Sequence, residues 1–346
     1  MNNDALLEVD NLHVSFSTYG GEVKAVRGVS LRLHRGETLA IVGESGCGKS
    51  VTARSIMRLL PKNNSRITEG SIRFNGRELT RLSEKQMRDV RGSDIAIIFQ
   101  DAMTALNPTM TIGEQLMEGV IRHQRLSRTE ARKRAVEMLQ FVGIRDPELR
   151  LKQHLHQFSG GMRQRIMIAM AAICSPAVLI ADEPTTALDV TIQAQILDLF
   201  RMLQRTTQAS LIMITHDLGV VASIADRVNV MYAGQVVESA PVKELFRNPQ
   251  HPYTQGLLDS IPRLDRPRGT KLDAIPGTPP DLFAPPKGCA FAARCPHAME
   301  VCGLFPPDSV KLDGEHTVAC WLQDARARTI PPRGPAQVET ASASQG

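Results

Sequence analysis

Gly43-Glu44-Ser45-Gly46-Cys47-Gly48-Lys49-Ser50 is the stretch that decides the fold. It matches G-x-x-x-x-G-K-[ST], the phosphate-binding P-loop. An apolar run, Thr38-Leu39-Ala40-Ile41-Val42, precedes it, and a helix is expected over Lys49 to Leu60. Strand, glycine loop and helix are the context the motif requires. Glycines let backbone N–H groups turn inward around a polyphosphate, and the helix N-terminus adds partial positive charge. Lys49 has the reach for β- and γ-phosphates, and the Ser50 hydroxyl is suited to Mg²⁺.

Three downstream stretches narrow the reading. In Phe158-Ser159-Gly160-Gly161-Met162-Arg163-Gln164-Arg165, a serine and two glycines open an apolar segment. Ser159 is expected to cap that helix, and the glycines leave backbone N–H groups open to an anion. Val178-Leu179-Ile180-Ala181-Asp182-Glu183-Pro184 reads as a buried parallel strand ending in two acids. Asp182 suits Mg²⁺ binding through water, and Glu183 is placed to orient or deprotonate an attacking water. Ser210 to Asp217 is a further buried strand that ends at His216.

In this order, the segments resemble the ATPase subunit of an ABC transporter, over about residues 5 to 262. The resemblance implies a P-loop α/β fold with an antiparallel β-subdomain and a helical subdomain. It makes Gly43 to Ser50 the Walker A loop, with Gly43, Ser45, Gly46, Cys47, Gly48, Lys49, Ser50 and Val51 around the nucleotide phosphates. Gln100, in Ile97-Ile98-Phe99-Gln100-Asp101, takes the place of the Q-loop glutamine, which senses γ-phosphate and Mg²⁺. Ser159, Gly160 and Gly161 resemble the ABC signature, although Phe158 and Met162 stand where the family often has Leu and Gln. Asp182 resembles the Walker B aspartate, Glu183 the catalytic glutamate, Ala187-Leu188-Asp189 the D-loop and His216 the switch histidine. Ala102 follows Gln100-Asp101 where close relatives often carry proline. For adenine stacking the family uses a first-strand aromatic; Phe16 is the candidate and Tyr19 the second choice.

Composition agrees with this class. The 346 residues, 42% of them hydrophobic, have room for two or three domains or subdomains. The net charge of +5 is mild and scattered, so nucleic-acid binding is not expected. Residues 1–8 carry no basic segment and no long apolar core, so no signal peptide is read there. Ser175-Pro176 interrupts the apolar stretch from Ile166 to Ala181, so a helix followed by a strand is expected rather than a membrane span. The expected location is the cytoplasmic face of the cell membrane, bound through partners.

Short strands are expected over Leu6–Val9, His13–Phe16, Ala25–Leu33 and Ser71–Phe74, with a core strand over Asp94–Phe99. A helical block runs from Thr111 to about Gly143, and Ser127-Arg128-Thr129-Glu130 opens one of its helices as a capping box. Ile192, Ile196, Leu199 and Leu203 recur at helical spacing over Val190–Arg205.

Beyond Pro262 the chain changes character: 13 of its 21 prolines lie from there onward. Asn248-Pro249-Gln250-His251-Pro252-Tyr253-Thr254 marks the transition and resembles the His-Pro-Tyr segment of oligopeptide and dipeptide permease ATPases. Cys289, Cys295, Cys302 and Cys320 cluster with spacing C-x₅-C-x₆-C-x₁₇-C. A small proline-rich module needs a staple, and four clustered cysteines in a cytoplasmic protein point to metal rather than disulfides. A [4Fe–4S] cluster, zinc and reduced thiols all remain open by ligand chemistry, and relatives in the permease family look like cluster carriers. Cys47 and Cys174 are not expected as ligands. The expected organisation is an ATPase domain over 1–262 with its helical subdomain at about 101–165, a small cysteine-bearing C-terminal extension over 263–330, and a disordered tail over 331–346.

The resemblance implies an ATP-hydrolysing subunit of an importer for dipeptides or oligopeptides, with ATP and Mg²⁺ as cofactors. The implied partners are a second, non-identical ATPase subunit, two transmembrane permease subunits and an external solute-binding protein. Importers of nickel or oligosaccharide are the near rivals, and an iron–sulfur assembly ATPase the distant one.

Overall fold

The computed structural model describes residues 5–186, 188–261 and 275–329. Twelve strands follow in chain order among the described residues: β1 (Leu7–Thr18), β2 (Gly21–Leu33), β3 (Thr38–Val42), β4 (Ser65–Phe74), β5 (Arg77–Glu78), β6 (Ile95–Ile98), β7 (Val178–Asp182), β8 (Ser210–Ile214), β9 (Arg227–Tyr232), β10 (Gln235–Pro241), β11 (Ser309–Lys311) and β12 (Thr317–Ala319). They form two sheets. The smaller is antiparallel, ordered β2-β1-β4-β5; the larger is ordered β11-β12-β10-β9-β3-β8-β7-β6. Within the larger sheet, β9, β3, β8, β7 and β6 are parallel.

The parallel strands are short and apolar because they are covered on both faces. Every residue of β3, β7 and β8 is buried. All three end on the same side, so the residues following them meet at one edge, where ligands bind in open α/β sheets. The antiparallel sheet is half-covered. The stretches expected as separate strands at Leu6–Val9 and His13–Phe16 are one strand, β1, with its register shifted around Asn11, which sits at φ 47°. The irregularity lets one strand turn its side chains without ending.

The loop helix is shorter than expected. It spans Lys49–Ile56 rather than reaching Leu60, because Arg58 takes φ 49° and its guanidinium donates to the carbonyls of Leu79 and Leu82. That contact ties the helix end to the chain after β5.

Between β6 and β7 lie helices Ile112–Gln124, Arg128–Phe141 and Gly160–Ala172. The expected capping box forms at Ser127 and Glu130, and a second at Thr111 and Glu114. Each box satisfies backbone donors that helix entry leaves free. Ile112, Leu116, Val120, Ala135, Leu139, Ile166 and Ile168 close a core that continues under β6–β8. Helix Val190–Thr207 packs on it through Ile196, Leu199, Phe200 and Leu203.

The C-terminal cysteine-bearing segment is built into the main body. β12 pairs with β10, and β11 pairs with β12, so this segment extends the larger sheet at its edge. Ala290 and Phe291 enter a third core with Val228, Tyr232, Leu245 and Tyr253. Beside it the buried Glu238 carboxylate accepts from the backbone N–H groups of Gln250 and His251 and meets His316 Nε2 at 2.7 Å. Sheet pairing and this buried polar cluster hold the segment, a role that the sequence assigned to a metal staple. The expected disordered tail from Pro331 and the D-loop residue Ala187 fall outside the described residues, as does Pro262–Ala274 around the expected domain boundary.

Candidate active site

The phosphate loop leaves the C-terminal end of β3 and folds over the start of helix Lys49–Ile56. Two glycines set its path. Gly43 has φ +148°, and a Cβ there would lie 2.1 Å from the Met231 carbonyl oxygen; Gly48 has φ +98°, with Ala25 O at 2.5 Å. No L side chain fits either place. Gly43→Ala is therefore expected to lower the melting temperature, with strain costing about 1–3 kcal/mol before the clash is counted, and thermal unfolding measures it. A melting temperature equal to that of the parent would show that the loop path is not the one described.

Lys49 is buried and folded back onto its loop, with Nζ donating to Gly43 O (2.8 Å) and Glu44 O (2.9 Å). Ser45 and Gly46 are exposed at the loop tip, Cys47 is buried beneath it, and Val51 is half-buried on the helix. Ser50 Oγ donates to Asp182 Oδ1 at 2.7 Å, joining the loop helix to the end of β7. Asp182 is only 1% exposed, and its Oδ2 has no partner. Burial pushes the Asp182 carboxyl above its ordinary range, against the opposing Ser50 hydrogen bond. An orphaned carboxylate oxygen beside a hydroxyl is a fit donor pair for a hard divalent cation.

Glu183 follows at φ 49°, held by its own N–H to Ile214 O at the end of β8. Gln100 Nε2 donates to Glu183 Oε2 at 3.0 Å, and Thr186 Oγ1 donates to the same oxygen at 2.9 Å. His216 Nδ1 lies 3.5 Å from Glu183 Oε1. The chain thus brings Gln100, Asp182, Glu183, His216, Lys49 and Ser50 to one edge of the sheet from four strands. A positioned carboxylate, an orphaned acid and a loop of backbone donors are the parts that phosphoryl transfer to water requires.

Three predicted residues stand apart from that cluster. Ser159 and Gly160 are exposed, and a Cβ built on Gly160 meets nothing within 4 Å. Ser159 occupies the N-cap position with extended backbone, but its side chain makes no cap hydrogen bond, contrary to expectation. Gly161 faces Ile192. The helix they open is tied to the acidic strand end by Gln164 Nε2 donating to Pro184 O at 2.7 Å. Phe16 is half-buried on β1 against the loop-helix core, and Tyr19 projects fully into solvent.

Several contacts had no clear sequence signal. Thr186 lies three residues beyond Glu183 in an ordinary loop. The Glu44 carboxylate accepts two bonds from Arg294, at 2.7 and 2.9 Å, and Glu44 N–H donates to Tyr253 Oη at 2.8 Å. A charged residue inside the loop and the His-Pro-Tyr segment were the only hints.

The four C-terminal cysteines converge. Burial raises the thiols of Cys289, Cys295 and Cys320, the last two to about 11 and about 12, and the neighbouring sulfurs add to each shift. Cys289 N–H donates to Cys302 O at 2.7 Å. The donor set fits a thiolate site in composition. The spacing does not: among the described residues no group of three or more His, Cys, Asp or Glu is arranged to hold a metal ion. The expected ready-made cluster or zinc ligand set is therefore not supported by this geometry, which already holds the segment by sheet pairing and packing.

Comparison with known proteins agrees with the geometry. One family model, ABC transporter, matches residues 26–186, and another, oligopeptide/dipeptide transporter C-terminal region, matches residues 237–302. The chain is 63% identical to the dipeptide transport ATP-binding protein DppD of Bacillus subtilis, over 94% of this chain and 96% of that protein. It is 53% identical to the oligopeptide transport ATP-binding protein OppD of Salmonella typhimurium, over 88% of this chain and 90% of that one. Among solved structures it is similar to the dimeric ATP-binding cassette MJ0796 in a post-hydrolysis state bound to ADP and Pi. That match has a TM-score of 0.62 and 27% identity, over 68% of this chain and 98% of the other. It is also similar to cbiO1 from Clostridium perfringens, with a TM-score of 0.60 and 30% identity, over 71% and 92% of the two chains.

Proposed function

The chain belongs to the ABC transporter ATPase family, in the branch with the oligopeptide/dipeptide transporter C-terminal region, and from that premise we propose that it hydrolyses ATP to drive import of dipeptides or oligopeptides. The observation that carries the chemistry is the meeting of the Lys49 loop, the half-satisfied Asp182 and the Gln100-held Glu183 at one sheet edge. The peptide reading rests on the relatives' transport roles and on the C-terminal region.

In the proposed mechanism Lys49 leaves the carbonyls of Gly43 and Glu44 for the β- and γ-phosphates, while Ser45, Gly46, Cys47, Gly48 and Val51 line the phosphate end. Phe16 stacks on the adenine. Ser50, Asp182 and Gln100 would hold Mg²⁺, which when bound neutralises phosphate charge. Glu183 accepts a proton from water as the water oxygen bonds to the γ-phosphorus and the bond to the departing ADP oxygen breaks. Gln100 and Thr186 hold the Glu183 carboxylate, and His216 stands on its other oxygen. Ser159, Gly160 and Gly161 act on the nucleotide of a second ATPase subunit; what supports this is that Ser159 and Gly160 are exposed and a Cβ on Gly160 meets nothing within 4 Å in its own chain.

We further take residues 1–262 as the ATPase unit, with the helical subdomain at about 101–165, and 263–330 as the extension. The partners on this reading are a second ATPase subunit, two membrane permease subunits and an external binding protein, with this chain at the cytoplasmic face. Among the described residues no helix is long and apolar enough to cross a membrane. Uptake of labelled peptides by vesicles carrying the whole transporter tests the reading. ATP-dependent accumulation supports it; accumulation of nickel or an oligosaccharide, with peptides ignored, overturns it.

A metal centre at Cys289, Cys295, Cys302 and Cys320 belongs to the same proposal. It requires the four thiols to draw together; what supports it is that all four are free cysteines, Cys302 buried and the other three half-buried. Anaerobic purification should then yield about four irons and four sulfides per chain. Stoichiometric zinc would replace the cluster reading, and four freely titrating thiols with neither metal would end it.

A further inference from the structure

Glu44 is the second residue of the phosphate loop, and each of its polar groups is engaged. Its carbonyl accepts from Lys49 Nζ at 2.9 Å. Its N–H donates to Tyr253 Oη at 2.8 Å, and its carboxylate accepts both arms of the Arg294 fork at 2.7 and 2.9 Å. Only the first partner comes from the loop. The other two, Tyr253 and Arg294, lie 209 and 250 residues downstream, both within the matched C-terminal region, 237–302.

The downstream side of this contact is rigid. Tyr253 is fully buried, and its ring lies 4.6 Å from that of Tyr232 and 5.4 Å from that of Phe291. The Arg294 side chain is 6% exposed. Its remaining donors go to Pro276 O, Ile275 O and Tyr232 Oη. The guanidinium also stands over the Tyr232 and Phe291 rings at 5.7 and 5.9 Å. A planar fork held on so many sides has one geometry to offer a carboxylate. Tyr232 belongs to the same wall, since its neighbour Met231 supplies the carbonyl against which Gly43 is packed.

The charge balance gives this contact a consequence. A carboxylate beside a polyphosphate site repels its ligand unless a cation answers it. Lys49 meets Glu44 only at the carbonyl and is needed for the phosphates, so Arg294 is the cation that answers the carboxylate. We propose that Arg294 and Tyr253 are positioning residues for the nucleotide, through which the C-terminal region sets the phosphate loop and its affinity for MgATP. Arg294 cancels the Glu44 charge and Tyr253 fixes the direction of the Glu44 peptide. The proposal rests on the reading of Gly43–Ser50 as the ATP phosphate loop.

The test is MgATP binding to the full chain, measured by calorimetry in a Glu183→Gln background so that ATP persists. Arg294→Ala is expected to weaken binding by a factor within about 5–150, the usual span of coupling between sites. Removing the uncompensated carboxylate as well, in Arg294→Ala with Glu44→Gln, should restore most of that loss. A merely structural role of Arg294 would give no such rescue. Tyr253→Phe keeps the ring and its packing and removes only the hydroxyl; it is expected to weaken binding a few-fold, about the loss of one hydrogen bond. It carries the test if Arg294→Ala does not fold. Parental affinity in folded Arg294→Ala or in Tyr253→Phe, or loss without rescue in the double variant, overturns the proposal. Lys49→Ala separates the two readings. Lost binding in Lys49→Ala with none lost in Arg294→Ala rejects the positioning role alone. Full binding in Lys49→Ala rejects the phosphate-loop reading, and the proposal with it.

Discussion

Glu183→Gln is expected to leave MgATP bound and to slow hydrolysis by the assembled transporter about 10²–10⁴-fold, the usual contribution of a positioned general base. The substitution keeps the size of the side chain and an oxygen for the Gln100 and Thr186 donors, so the local geometry at φ 49° is retained. What it removes is the carboxylate that takes the proton in the proposed mechanism. Asp182 cannot replace it: that side chain is buried one residue earlier and bonded to Ser50. Steady-state hydrolysis alongside nucleotide binding separates the two effects. Parental turnover in the Gln variant would remove Glu183 from the chemistry.

The second large effect is at Gly160. A tyrosine there has open space in its own chain, since a Cβ meets nothing within 4 Å and the backbone is ordinary helix start. The variant should fold and bind MgATP at its own loop with parental affinity. Turnover by the assembled complex should nevertheless fall about 10²-fold or more, as expected when donors facing a transition state are blocked. Intact binding with lost turnover at a residue standing apart from the Lys49, Asp182 and Glu183 cluster of its own chain is the signature of a site completed by a second subunit. Parental hydrolysis in Gly160→Tyr would mean that each chain works alone.

The clustering of these side chains at one sheet edge was legible because its parts are local. A glycine loop after an apolar strand, two acids at a strand end and a histidine at another each announce themselves within about ten residues, and parallel topology brings strand ends together. The capping box at Ser127 was legible for the same reason. What could not be read was long-range. Nothing near Glu44 points to Arg294, 250 residues away. Val310 and Val318 gave no sign that their strands extend the main sheet beyond β10. For that reason a metal staple looked necessary for a segment that Phe291, sheet pairing and the Glu238–His316 contact already hold. Local errors had local causes: Asn11 lets β1 run through where two strands were expected, and Arg58 stops the loop helix early.

This chain is expected to couple ATP hydrolysis to peptide import. The most direct test is the steady-state rate of ATP hydrolysis by the transporter in membrane, with its external binding protein added empty or loaded with peptide. The rate should rise with the peptide-loaded protein and collapse in Glu183→Gln. A rate indifferent to the loaded protein, or a rise that survives Glu183→Gln, would contradict that coupling.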